Sequence, residues 1–341
     1  MTRLAIGLDV GGTKVAGLVL AEDGAVLAGE ERPAMADDAD AALGAVIQLG
    51  QDLQKEHEDV VAAGIGAAGL VDHDAGVFRF APNLSWRELP LRDRVAEALD
   101  LPVVLDNDAN AAGWGEFRFG AGAGHREVLM VTVGTGIGGA IVTGGRLLRG
   151  AHGFAAEIGH IVMQPGGPRC GCGNAGCWEQ LASGTAIGRL GREAARDHPA
   201  SIIAELAGSP ERVSGVHVTE AGRRGDHIAA HILAEVGAWL GVGLAGLANV
   251  LDPEVVVVGG GVGEIGEPVL GPARRTFREH LEGAEHRPEI PLLEARLGNE
   301  AGAIGAAALA LDEAGGRLGV ARPVERSTRP HPASEPPQAP R

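Results

Sequence analysis

The stretch Asp9-Val10-Gly11-Gly12-Thr13-Lys14 sets two residues without side chains between a carboxylate and a hydroxyl–ammonium pair. Backbone N–H groups freed by glycine can wrap a phosphate, Thr13 and Lys14 add donors, and Asp9 can hold a magnesium ion directly or through water. It is not a Walker loop, which needs Gly-x-x-x-x-Gly-Lys-Ser/Thr opening a helix. Taken alone, it reads equally well as an ordinary tight hairpin. The run from Thr132 to Gly139 repeats the ingredients around Gly134, Thr135 and Gly136, and would grip terminal phosphates from the opposite side. Gly259-Gly260-Gly261 follows four valines, at a strand's carboxyl end, where α/β sheets bind nucleotides. Three glycine turns at strand ends are hard to explain as packing alone.

Two further clusters carry charge or metal chemistry. At Asp106-Asn107-Asp108 two carboxylates flank an asparagine at the end of an apolar run. If the strand continued, the alternation of side chains would put both carboxylates on one face, so spacing alone does not choose between them. A helix N-cap is the plain alternative. All three cysteines, Cys170, Cys172 and Cys177, lie within eight residues, and an odd number packed so tightly makes no disulfide framework. With His160 they form a Cys₃His set suited to tetrahedral zinc. Four protein ligands leave no open position, so the expected metal is structural.

The elements that must position these groups follow from periodicity. Leu4 to Leu20 reads strand, glycine turn, strand; Asp38 to Glu58 has helical spacing; Ala62 to Ala68 and Val103 to Leu105 read as strands. Val128 begins a second strand, glycine turn, strand unit that echoes the first and predicts a duplicated plan with a cleft between two lobes. Pro199 to Asp226 is polar and reads as a helical excursion carrying little information. The expected division is a small α/β domain over 1–112 completed by a closing helix near 301–318, a large α/β domain with the zinc loop over 113–300, and a disordered Pro-rich tail over 322–341.

Composition narrows the function. The 341 residues suffice for two cores, 45% are apolar and 22% charged, and 55 are glycine, well above ordinary usage. A net charge of −16 with no local basic cluster disfavours a nucleic-acid partner. The apolar run Ile232 to Leu251 has the length of a membrane span, but Glu235, Asn249 and several glycines make it a buried core helix, so no membrane insertion is expected. The first residues are too short for a secretory leader, which predicts a cytoplasmic protein.

In order and combination, Asp9 to Lys14, Asn107-Asp108-Ala109-Asn110-Ala111-Ala112, the Gly134 to Gly139 turn, Glu157-Ile158-Gly159-His160 and Cys170 to Glu179 resemble the ROK sugar kinases, in their bacterial glucokinase branch. The resemblance covers roughly residues 4 to 311. It implies a two-lobed actin-like ATPase (ribonuclease H-like) α/β fold with an interdomain active-site cleft. It also implies ATP, magnesium and structural zinc, and γ-phosphoryl transfer to a hexose, glucose being the leading substrate and mannose, fructose or an N-acetylhexosamine the alternatives. By the same resemblance Asp108 is the general base, and Asn83, Asn107, Asp108, Glu157, His160 and Glu179 contact the sugar. The nucleotide falls to Asp9, Gly11, Gly12, Thr13, Lys14, Thr135, Gly136, Gly259, Gly260 and Gly261. One departure stands out: Ala155-Ala156-Glu157 replaces the family's common Ala-Gly-Glu, which predicts a narrower pocket. The ROK family also holds sugar-responsive repressors with an added N-terminal helix-turn-helix, a reading disfavoured because this chain opens at its first strand. A homo-oligomer, dimer or tetramer, is expected. The tail is compatible with contact to a sugar transporter.

Overall fold

The structure, a computed structural model, describes residues 2–81 and 84–316. Strand β1 (Leu4–Val10) enters the Gly11-Gly12 turn, which closes as the Gly11 N–H donates to the Lys14 carbonyl at 3.0 Å, and returns as β2 (Lys14–Ala21). Strand β3 (Val26–Pro33) continues the meander. Helix α1 (Ala39–Glu56) starts where the Asp38 side chain accepts the N–H groups of Asp40 and Ala41. Strand β4 (Val60–Ala67) then pairs parallel to β1. Three short strands, β5 (Leu70–Asp72), β6 (Val77–Phe80) and β7 (Arg87–Leu89), make a small separate sheet. Helix α2 (Leu91–Leu99) leads into β8 (Val103–Asn107), which is parallel to β4 and completes the first large sheet, ordered β3-β2-β1-β4-β8. Helix α3 (Asp108–Phe119) follows without a loop.

The second half repeats the plan. Strands β9 (Val128–Val133), β10 (Ile137–Thr143) and β11 (Arg146–Leu147) form an antiparallel meander. A long excursion carries the cysteine loop and helices α4 (Glu179–Ala182), α5 (Gly184–Asp197), α6 (Ile202–Ala207), α7 (Gly215–Arg223) and α8 (His227–Leu251). Strand β12 (Val255–Gly259), helix α9 (Glu267–His280) and strand β13 (Leu292–Glu294) complete a second sheet, β11-β10-β9-β12-β13. Both sheets run three antiparallel strands and then two parallel ones, so the duplication expected from two glycine hairpins extends to whole sheets. Helix α10 (Ala301–Ala314) ends the described chain.

Three cores hold this together. One lies between the second sheet and α5, α8 and α9; another lies between the first sheet and α1 and α2. The third fills the space between the sheets and is built largely from α3 and α10, with Ala5, Leu18 and Ala62 from one side and Val128, Met130 and Val255 from the other. The expected boundary between residues 112 and 113 therefore falls inside α3, which runs to Phe119 and packs on both sheets. The tail over 322–341 and the last residues of the expected closing helix lie outside the described residues. Helix α8 is long and apolar enough to cross a membrane, but Leu233, Val236, Leu240 and Leu244 are buried in the second sheet's core. Each such burial is worth about 1.5–3 kcal/mol, which a core helix collects without lipid.

Candidate active site

Two adjoining cavities share Gly134 of the second hairpin, and the smaller of them opens between the halves. The larger, about 840 Å³, is lined mainly by apolar and small groups from α5, α7 and the Gly261–Ile265 segment, with Arg192 and Arg223 among them. The smaller, about 410 Å³, is polar and gathers Gly12, Asn107, Asp108, Gly136, Glu157, His160, Glu179 and Gly260. Residues far apart in sequence thus meet because the carboxyl ends of β1, β8, β9 and β12 point into one cleft.

The two carboxylates near the end of β8 have different surroundings. The strand stops at Asn107, whose Oδ1 caps α3 by accepting the N–H groups of Ala109 and Asn110 at 2.9 and 3.1 Å, so the alternation that would align Asp106 with Asp108 ends there. Asp106 is 2% exposed and fully engaged. Its Oδ1 accepts the Asn107 N–H and the Asn110 amide, both at 2.9 Å, and its Oδ2 accepts the Arg149 Nε–H at 2.7 Å. Asp108, the first residue of α3, faces the polar cavity. Burial raises its pKa above the ordinary carboxylate value, and hydrogen bonds from the Ala109 backbone and the Asn107 side chain offset this only in part. Asn107 serves mainly as a cap: Nδ2 also donates to the Gly69 carbonyl at 3.0 Å, and the side chain bonds Asp108.

Asp9, at the end of β1, is raised to about 7, first by burial and then by the negative charge of Asp108, with Lys14 pulling the other way. Helix α10 approaches it at Gly302, where a methyl group would stand 2.5 Å from Asp9 Oδ2. Only glycine permits that contact. Glu157 is likewise raised, chiefly by burial and further by Asp108 and Glu179, while His160 opposes. A cavity lined by Asp108, Glu157 and Glu179 favours ligands that donate hydrogen bonds or carry positive charge.

Beside the polar cavity the four sulfur and nitrogen donors converge. The ligand atoms of His160, Cys170, Cys172 and Cys177 lie within 4.8 Å of one another. Cys170 Sγ is 3.6 Å from His160 Nδ1, and Cys172 Sγ is 3.6 Å from Cys177 Sγ. A tetrahedral zinc with ordinary bond lengths requires donor separations of roughly 3.4–3.8 Å, so the set fits that metal. Backbone bridges Val162–Cys177 and Arg169–Ala175 brace the loop. Its last ligand is followed by Trp178, whose indole N–H donates to the Trp239 carbonyl at 2.9 Å and whose ring lies against the bare backbone of Gly243 on α8. Glu179 comes next, and its Oε1 is 2.9 Å from Cys170 Sγ, so the cage and the polar cavity share a wall.

The remaining expected residues divide. Thr135 and Gly261 line the larger cavity, while Gly11, Thr13, Lys14 and Gly259 line neither. Lys14 is ion-paired with Glu31 across the β2–β3 ladder at 2.5 Å, an exposed contact. Asn83 lies outside the described residues. Sequence reading missed the wall formed by α5 and α7, which falls partly in the stretch 199–226 set aside as uninformative. One signal was available: Ser183 before Gly184-Thr185 and Ser214 before His217 are helix-cap patterns, and they place two helix starts at this cavity. Ala156, at the family's usual glycine position, adopts φ +67°, a left-handed conformation costly for alanine.

A polar, acidic cavity between the strand ends of two like sheets, with a larger cavity beside it, defines a protein of the actin-like ATPase fold. Residues 5–313 match the ROK family, and the chain belongs to it. It is 44% identical over 310 residues to a glucokinase of Streptomyces coelicolor, covering 90% of this chain and 97% of that one. It superposes on a ROK family glucokinase from Streptomyces griseus, solved with glucose and AMPPNP, with a TM-score of 0.82 and 46% identity, covering 91% and 99% of the two chains. A ROK hexokinase from Thermus thermophilus matches with a TM-score of 0.79 and 36% identity, over 92% and 99%.

Proposed function

We propose that the protein is an ATP-dependent sugar kinase that converts glucose to glucose 6-phosphate. The observation that carries this is the placement of Asp108 in a polar cavity of about 410 Å³ that meets a larger, nucleotide-sized cavity at Gly134. The full-length similarity to glucokinases supports glucose over other hexoses.

In this reading the hexose lies in the polar cavity with its 6-hydroxyl toward Asp108. The carboxylate accepts the hydroxyl proton as the oxygen attacks the γ-phosphorus. Asp106 does not compete, because Arg149 and two N–H donors occupy it. Glu157 and Glu179 accept hydrogen bonds from other hydroxyls, and His160 offers Nε2–H while Nδ1 faces the cysteines. The two glycine hairpins direct backbone N–H groups at the phosphates, and the larger cavity takes the nucleoside. A magnesium ion, when bound near Asp9 and Asp108, would neutralise charge on the phosphates. Zinc in the Cys₃His cage would fix the loop from which Glu179 projects.

A coupled assay of ATP consumption against a panel of hexoses tests the reading. Fastest turnover with glucose is the expected result; a higher kcat/KM with mannose, fructose or an N-acetylhexosamine would reassign the substrate, and ATP turnover indifferent to every sugar would overturn the kinase reading.

A further inference from the structure

Residues Arg149 to Glu157 form a strap that leaves the second sheet and reaches the first. Its root is fixed where the Leu148 N–H donates to the Ile141 carbonyl at 2.8 Å, and its neck is closed where the Ala155 N–H donates to the Arg149 carbonyl at 3.0 Å. From this neck the Arg149 side chain crosses the cleft to Asp106 on β8. At the far end of the loop Gly153, at φ +84°, lies so close to β5 that a methyl group there would be 2.5 Å from the Val71 carbonyl. The chain then turns through the left-handed Ala156 and delivers Glu157 to the polar cavity.

We propose that Arg149 is a positioning residue for the transfer reaction, a latch that locks the strap carrying Glu157 onto the strand end carrying Asn107 and Asp108. The proposal rests on the kinase reading above. A single carboxylate joins the two sides. Asp106 takes Arg149 through Oδ2 and, through Oδ1, the Asn107 N–H and the Asn110 amide that shape the start of α3. His73 flanks the pair, bonding the Leu105 carbonyl at 2.9 Å with its Nδ1 3.7 Å from Asp106 Oδ2. Neither Asp106 nor Arg149 lines the two cavities, so an effect on the sugar must pass through the groups they hold. Simple neutralisation of a buried carboxylate would not require the partner to come from the opposite sheet, nor from the neck of the loop that ends at Glu157.

The test is the steady-state kinetics of the full chain bearing Arg149→Met, Arg149→Lys, and Asp106→Asn with Arg149→Met. If the latch sets the spacing of Glu157 and Asp108, Arg149→Met raises KM for glucose, lowers kcat/KM for glucose about 10²-fold and leaves KM for ATP within about twofold. Arg149→Lys recovers part of the loss. The double variant, which leaves no unpaired charge and decides the matter if Arg149→Met fails to fold, remains impaired toward glucose. Recovery of wild-type kinetics in the double variant would show that Arg149 only compensates Asp106, and an unchanged KM for glucose in Arg149→Met would also overturn the latch. The two levels are separable: a wild-type chain without sugar-dependent ATP turnover overturns the kinase reading and the latch together, whereas an active wild type matched by Arg149→Met overturns the latch alone.

Discussion

Asp108 stands at a strand-to-helix junction where a carboxylate is helped by the N-terminal dipole and opposed by burial, and burial wins. As a base it must be ionised, so activity should fall as pH drops through its raised pKa. The acid limb of kcat/KM is expected above the usual aspartate value of about 3.9, and a profile flat down to that pH would contradict the assignment. The same shift bears on stability. A group whose folded pKa is raised stabilises the fold while protonated and loses that contribution as pH rises through the folded pKa. Asp108→Asn, always neutral, should therefore melt higher than wild type at pH 8, with the difference vanishing near pH 3.5, below the ordinary aspartate range. Thermal melts at both pH values decide this; a variant less stable at pH 8 would reverse the sign. Gly302→Ala should push Asp9 aside, raising the magnesium needed for half-maximal rate about tenfold, because a shift of roughly 1 Å at a reacting site is costly. An unchanged magnesium titration would remove Asp9 from that role. Which aspartate is free was not legible in the sequence, because that depends on an arginine 43 residues away from Asp106.

At the scale of elements, the hairpins and the cysteine loop were readable because each is a local pattern: adjacent glycines between apolar runs, and sulfur ligands a few residues apart. Helix α7 was not, since its role at the larger cavity comes from packing beside α5 rather than from any motif of its own. At Lys14 a cation beside a glycine turn suits phosphate, and the neighbouring strand adds Glu31 as an exposed partner that no local pattern announces. The cysteine loop passes through Trp178 directly into Glu179 of the polar cavity. Stripping zinc with a chelator should lower the melting temperature and raise KM for glucose, while ATP affinity changes less. Metal analysis that finds no zinc in gently purified protein would reject the site. Gly243→Ala should produce a similar glucose defect without loss of metal, since a methyl group there would overlap the Trp178 ring at 2.1 Å. Overpacking of this kind costs about 1–3 kcal/mol, which thermal unfolding can resolve. Wild-type KM for glucose in that variant would disconnect α8 from the site.

For the whole molecule, two sheets of the same strand order face each other across α3 and α10, and the polar cavity lies where their carboxyl ends meet. The duplicated plan was visible in two short hairpins, yet the shared core was not. Alanine- and glycine-rich helices such as α10 show little amphipathic pattern when they are buried all round, as residues Ala301 to Asp312 are. The central claim is that Asp108 takes the sugar's proton at the junction of the two cavities. It is tested most directly by measuring ADP and sugar phosphate formed by wild type and by Asp108→Ala, with glucose and ATP affinities determined on both proteins by calorimetry. The account predicts one sugar phosphate per ADP in wild type, and a loss of about 10²–10⁴-fold in kcat for Asp108→Ala with both ligands still bound. Turnover by Asp108→Ala within a few-fold of wild type would contradict it.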